Sequence, residues 1–150
     1  MPHQAPARVL VVANRTAASA ALLGAVARRA RSGAATFHLL VPAHPRGLHR
    51  VVDPEVTGRD EARARLDAAV ALLSESTGST VQGNVGDADP IAAISDALQA
   101  GSFDEIIIST LPRRLSRWLR LDLPSKARGF GLPVAHVQAA EAAEAERVAA

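Results

Sequence analysis

The sequence predicts an α/β fold built on a parallel sheet, and three observations carry that prediction. Short apolar runs rich in Val, Leu and Ile recur at Arg8 to Ala13, Ala35 to Val41 and Ile106 to Ile108. Such runs suit strands covered on both faces. The longer segments between them place apolar residues three and four positions apart, as amphipathic helices require. Strands that alternate with helices imply right-handed crossovers and a parallel sheet. At 150 residues the chain is long enough for one domain with a substantial core, and it shows no internal repeat.

Each element can be justified in turn. Arg8 to Ala13 reads as a buried strand that stops at Asn14-Arg15-Thr16. Ala17 to Arg31 follows as a helix with Leu22, Leu23, Val26 and Ala30 on one face. Arg28, Arg29 and Arg31 suit its C-terminal end, and Gly33 is a candidate cap. Ala35 to Val41 is a second buried strand, broken by Pro42 and Pro45. A loop containing His44, Arg46 and His49 leads to Thr57, which with Asp60 resembles a capping box. The helix from Gly58 to Ser76 then carries Leu66, Ala69, Val70 and Leu73 on one face, and Gly78 ends it.

Thr80 to Val85 alternates apolar and polar residues, which predicts an edge strand with one exposed face. In the next turn Asp89 can cap a helix whose first position is Pro90. Ile91, Ile94, Ala97 and Leu98 form that helix's apolar face, and Gly101 stops it. Ile106 to Ile108 is the fourth strand, closed by Ser109-Thr110. A basic segment follows, from Leu111 to Arg120, and a Pro-broken connection leads to a last apolar strand at Leu132 to Val137. Residues 1–7 read as a disordered N-terminus and 138–150 as an Ala/Glu-rich tail.

Composition narrows the function. Hydrophobic residues make up 48% of the chain and charged residues 21%, the profile of a globular protein. No apolar run approaches the roughly 18–20 residues that span a bilayer, and the N-terminus lacks a signal-peptide layout, so a cytoplasmic setting is the default. Without cysteine there is no disulfide, thiolate nucleophile or Cys-type metal site. The glycine-rich dinucleotide fingerprint, the phosphate-binding P-loop and the Gly-x-Ser-x-Gly elbow are all missing, and no tyrosine is present to act as a base. His44, His49 and Asp53 fit no standard metal spacing, so no metal is expected. His38 and His136 lie in apolar strands and read as hydrogen-bonded core or interface residues.

The net charge of +2 says little, but its distribution says more. Arg113, Arg114, Arg117, Arg120, Lys126 and Arg128 face only Asp122 across one segment. Leu115, Trp118 and Leu119 lie opposite them at helical spacing, so the segment reads as a short amphipathic helix. Its arginines are then either a solvated face or charge-assisted contacts to an anion. Nucleic acid and an anionic membrane are weaker alternatives, since one Trp without interleaved aromatics makes a poor base-stacking surface.

In an open α/β sheet, ligands bind beyond the carboxyl ends of the strands, which directs attention to the turn after Ile108. The whole layout over residues 8–137 resembles the universal stress protein family: a first strand ending in a short polar turn, a second ending at Val41, the Gly86-Asp87 turn and helix, and a closing strand, loop, helix and strand. The resemblance implies a three-layer sandwich around a five-stranded parallel sheet of order 3-2-1-4-5. It also implies dimerisation through the last strand, here Leu132 to Val137, and either ATP binding or its loss. Asn14 and Ser109 would face each other where the strand order reverses.

Family members that bind ATP carry a Gly-x2-Gly-x9-Gly-Ser/Thr loop after strand four. Ser109, Pro112, Asp122 and Leu123 occupy those positions here, and Asn14 replaces the acidic residue that contacts the ribose. Pro112 has no N–H to offer a phosphate, Asp122 brings a carboxylate, and Leu123 removes a hydroxyl. The resemblance places a ligand site at Ala13, Asn14, Arg15, Val41, Ser109, Thr110, Pro112, Arg113, Arg114 and Arg117, with ATP or AMP the implied ligand. The alternative is a nucleotide-free dimer that meets a protein partner through the basic helix.

Overall fold

The first strand, β1 (Ala7–Val12), sits at the centre of the molecule. Val9 and Val11 point into one apolar cluster and Leu10 and Val12 into another, and all four are fully buried. That is why this run is continuously apolar rather than alternating. The computed structural model describes residues 5–43 and 54–140, and within the helix that opens the second segment it describes side chains from residue 59 onward.

The remaining elements follow in chain order. They are α1 (Ala20–Ser32), β2 (Ala35–Pro42), α2 (Pro54–Thr77), β3 (Gln82–Gly86), α3 (Pro90–Ala100), β4 (Glu105–Thr110), α4 (Arg117–Arg120), α5 (Leu123–Arg128) and β5 (Val134–Gln138). All pairings are parallel and the sheet order is β3-β2-β1-β4-β5, as expected. In register, Val11 lies between Leu39 and Ile107, and Val12 between Leu40 and Ile108. The strand read as an edge is an edge: Gln82 and Asn84 are exposed while Gly83 and Val85 are partly covered.

Two cores flank the sheet. On one face Leu22 and Val26 of α1 meet Leu66, Ala69 and Leu73 of α2 over Val9, Phe37 and Leu39. On the other, Ala93 and Ile94 of α3 and Leu123 and Ala127 of α5 cover Leu10, Leu40, Ile106 and Ile108. Burying each Leu or Ile fully contributes about 1.5–3 kcal/mol relative to exposure. Among the described residues no helix is long and apolar enough to cross a membrane.

Several boundaries differ from the sequence reading for identifiable reasons. Helix α1 starts at Ala20 rather than Ala17, because the Ser19 hydroxyl accepts from the Leu22 N–H at 3.2 Å and caps it there. Helix α2 starts at Pro54, so Thr57 and Gly58 lie inside it instead of at its start. Proline suits a first helical position, where the missing N–H costs nothing. Gly78 ends α2 as expected, with φ +71 in the left-handed region. The basic segment does not form one amphipathic helix. Residues 112–115 make a turn, Ser116 caps the four-residue α4, and Leu115 is exposed. The connection after Asp122 contains a helix the sequence reading missed, α5, with Pro124 in its first turn.

Of the termini read as disordered (1–7) and as a tail (138–150), Ala7 instead opens β1, Gln138 closes β5 and Ala139 is buried, while residues 1–4 and 141–150, like the loop with His44, His49 and Asp53, lie outside the described residues.

The packing of α2 on β3 depends on a missing side chain. A Cβ at Gly83 would stand 2.5 Å from the Leu39 carbonyl oxygen and 2.6 Å from Leu66 Cδ1. Backbone cannot yield as a flexible side chain can. Gly83→Ala is therefore expected to destabilise the fold by about 1–3 kcal/mol, measured as a shift in urea midpoint at unchanged slope.

Candidate functional site

The carboxyl ends of β1 and β4 diverge, because the chain leaves β1 toward one face of the sheet and β4 toward the other. The crevice they leave is a cavity of about 650 Å³, within the usual range for small-molecule sites.

Its floor is made of hydroxyl groups. After β1 the chain turns twice, with Ala17 N–H donating to the Asn14 carbonyl and Ser19 N–H to the Thr16 carbonyl. These turns carry Thr16 inward until its hydroxyl lies 2.6 Å from that of Ser109, and both residues are buried. Thr110, beside Ser109, pairs its hydroxyl with His136 Nε2 of β5 at 2.8 Å. Desolvation holds the His136 pKa below its ordinary value, and the positive charge of Arg128 adds to that effect.

One wall is formed by Pro42 and Ala43 at the end of β2 and by Ala88, Asp89 and Pro90 at the start of α3. Asp89 is already engaged, since its side chain accepts from the Ile91 N–H at 3.1 Å. The opposite wall is the segment after β4, including Leu115, Ser116, Trp118 and Leu121. Four cations complete the lining: Arg15, Arg117, Arg120 and Lys126. All four are exposed at the rim.

Of the residues singled out in the sequence, the cavity brings together Asn14, Arg15, Ser109, Thr110 and Arg117. Ala13, Val41 and Pro112 are buried and do not line it. Arg113 and Arg114 are exposed and also lie outside the lining. The residue opposite Ser109 is Thr16, not Asn14. Asn14 is committed elsewhere: its amide nitrogen donates to the Pro42 carbonyl, and its amide oxygen accepts from Arg65 of α2. It therefore joins β1, β2 and α2 instead of presenting a free acceptor to a ligand.

Thr16, Arg120 and Lys126 were missed as site residues. Arg120 and Lys126 were visible as part of a basic cluster. Nothing local in the sequence distinguishes the Thr16 hydroxyl from any other turn hydroxyl.

The loop after β4 spends many of its amides on its own hydrogen bonds. The N–H groups of Leu115, Ser116, Leu119, Arg120, Leu121 and Asp122 all donate within the segment, to Pro112, Arg113, Ser116, Arg117 and Leu119. Leu123, at the hydroxyl position of the glycine-rich pattern, is 1% exposed and belongs to the core. One backbone feature at a position of that pattern is glycine-like. Asp122, at a glycine position, has φ 57, the only positive φ of a non-glycine among the described residues. Its side chain makes no capping hydrogen bond. Asp122→Gly should relieve this left-handed strain and stabilise the protein by about 0.5–1 kcal/mol, seen as a Tm rise of roughly 1–4 °C by calorimetry.

No protein-family model matches the chain, and no curated protein sequence matches it. Solved structures do. A universal stress protein from Archaeoglobus fulgidus superposes with a TM-score of 0.60 at 18% identity, over 87% of this chain and 93% of its own. A member of the same family from Burkholderia pseudomallei gives 0.63 at 18% identity, over 90% and 98%. A universal stress protein solved in complex with cAMP gives 0.58 at 16% identity, over 91% and 100%. The chain has the universal stress protein fold, carried by a sequence that shares less than a fifth of its residues with these structures.

Proposed function

We propose that this protein is a binding or regulatory module that takes an adenine nucleotide, or a related phosphate-bearing ligand, in the crevice between β1 and β4. The observation that carries the reading is the composition of that crevice: buried hydroxyl groups, a largely apolar wall and, among the described residues, four exposed cations in the lining. Such an arrangement suits a ligand with a flat, partly apolar body and an anionic end. The structural neighbour solved with cAMP supports an adenine nucleotide as the class to test first. No residue is assigned a catalytic role.

Calorimetric titration of protein stripped of carried-over ligand tests the proposal. Micromolar ATP binding that weakens at least tenfold in the Arg117→Ala, Arg120→Ala double variant is the expected outcome. An absence of heat up to millimolar ATP, with no thermal shift, would reject it.

A second reading concerns the β5 edge. Among the described residues strand β5 pairs only with β4, and Ala135 and His136 on it are exposed between partly covered Val134 and Val137. An open strand edge is a template for pairing with another chain. The module would then be a homodimer through Leu132 to Val137, with or without a bound nucleotide. Sedimentation at micromolar concentration should give a dimer that Val137→Arg converts to monomer. A wild-type monomer would end this reading.

A further inference from the structure

We propose, building on the nucleotide-site reading above, that the cavity selects a metal-free polyphosphate and that the magnesium-bound form is the poorer ligand. Three observations converge on this.

The first is what the loop can donate. Its amides from Leu115 to Asp122 are largely spent on internal hydrogen bonds, and Pro112 has none. Those spent amides are closed to an anion, and the exposed cationic side chains of the lining supply the charge that can hold one.

The second is which side chains are there. Arg117 and Arg120 come from α4, Lys126 from α5, and Arg15 from the turn after β1. Guanidinium groups offer forked donors that match phosphate oxygens in pairs, and an ammonium adds a point charge. Like charges brought from three places into the lining of one cavity repel one another, and an anion there would neutralise them. A ligand with three or four uncompensated charges fits that demand better than a monophosphate does.

The third is what a metal ion would find. Among the described residues no group of three His, Asp or Glu side chains stands ready to hold one. Asp89, the carboxylate in the lining, is committed to capping α3, and Asp122 lies outside the lining. Among the described residues of the lining, a magnesium ion arriving on the phosphates would meet one carboxylate, Asp89, whose Oδ1 already accepts from the Ile91 N–H. It would also cancel two of the charges that the arginines contact and keep waters between them and the phosphate oxygens.

The test is a set of calorimetric titrations with ATP, AMP and inorganic tripolyphosphate, each in EDTA and in excess magnesium. Tripolyphosphate alone is expected to bind and to displace ATP, and AMP to bind more weakly than ATP. Magnesium should weaken ATP binding by roughly five- to tenfold. The Arg117→Gln, Arg120→Gln pair should abolish tripolyphosphate binding. The control pair Arg28→Gln, Arg31→Gln makes the same change in net charge on exposed positions of α1 outside the cavity, and should bind as wild type does. If ATP binds equally well or better with magnesium, the metal-free inference falls and the nucleotide site stands. If ATP binds but tripolyphosphate does not, the side-chain cage falls. If ATP binds under neither condition, the nucleotide reading falls and takes this inference with it.

Discussion

The structure depends on β1 being buried on every side. It has a strand on each edge and a helical layer on each face, so no residue from Val9 to Ala13 meets solvent. Only apolar side chains fit there, and only the end of the strand can release polar groups. The sheet also reverses its winding at β1, since β2 follows on one side while β4 pairs on the other. A crevice at the end of β1 is a geometric result of that reversal. The first polar residues after the strand, Asn14 and Thr16, are delivered to it whatever the ligand.

These two residues divide the work. Asn14 is turned toward β2 and α2, where its amide satisfies the Pro42 carbonyl and meets Arg65. An amide can donate and accept at once, which a carboxylate cannot, so the residue ties three elements together near the cavity. Thr16 turns the other way and pairs with Ser109 across the crevice. Two buried hydroxyls at 2.6 Å satisfy one another, and each keeps capacity for a further hydrogen bond.

The arginines separate into engaged and open groups in the same way. Arg29 of α1 reaches Glu105 of β4 with two donors, at 2.6 and 3.1 Å, and also caps the Gly33 carbonyl. Its hydrogen bond to Glu105 raises its pKa above the ordinary value, so it stays charged as a structural clamp. Arg15, Arg117 and Arg120 line the cavity instead. The segment after β4 is stiffened by its own amide bonds, while its Arg117 and Arg120 stand exposed in the cavity lining. Asp122 in the same segment holds a left-handed backbone without glycine's freedom.

The sequence by itself determined the alternation of strands and helices, the edge position of β3 and the Asp89 cap with Pro90, and it directed attention to the turn after Ile108. These rest on local patterns: apolar period, proline chemistry and the burial of a parallel sheet. It misplaced the start of α2, drew one helix where a turn and α4 stand, and missed α5. In that region Pro112, Pro124 and the glycines blur the apolar period that marks a helix. Which polar side chains meet was decided by the tertiary structure alone. Thr16 and Ser109 are 93 residues apart in the chain, and Asn14 and Arg65 are 51 apart. No spacing rule links residues that only the folding of separate turns and helices brings together, so Asn14 read as the partner of Ser109 and Thr16 went unnoticed.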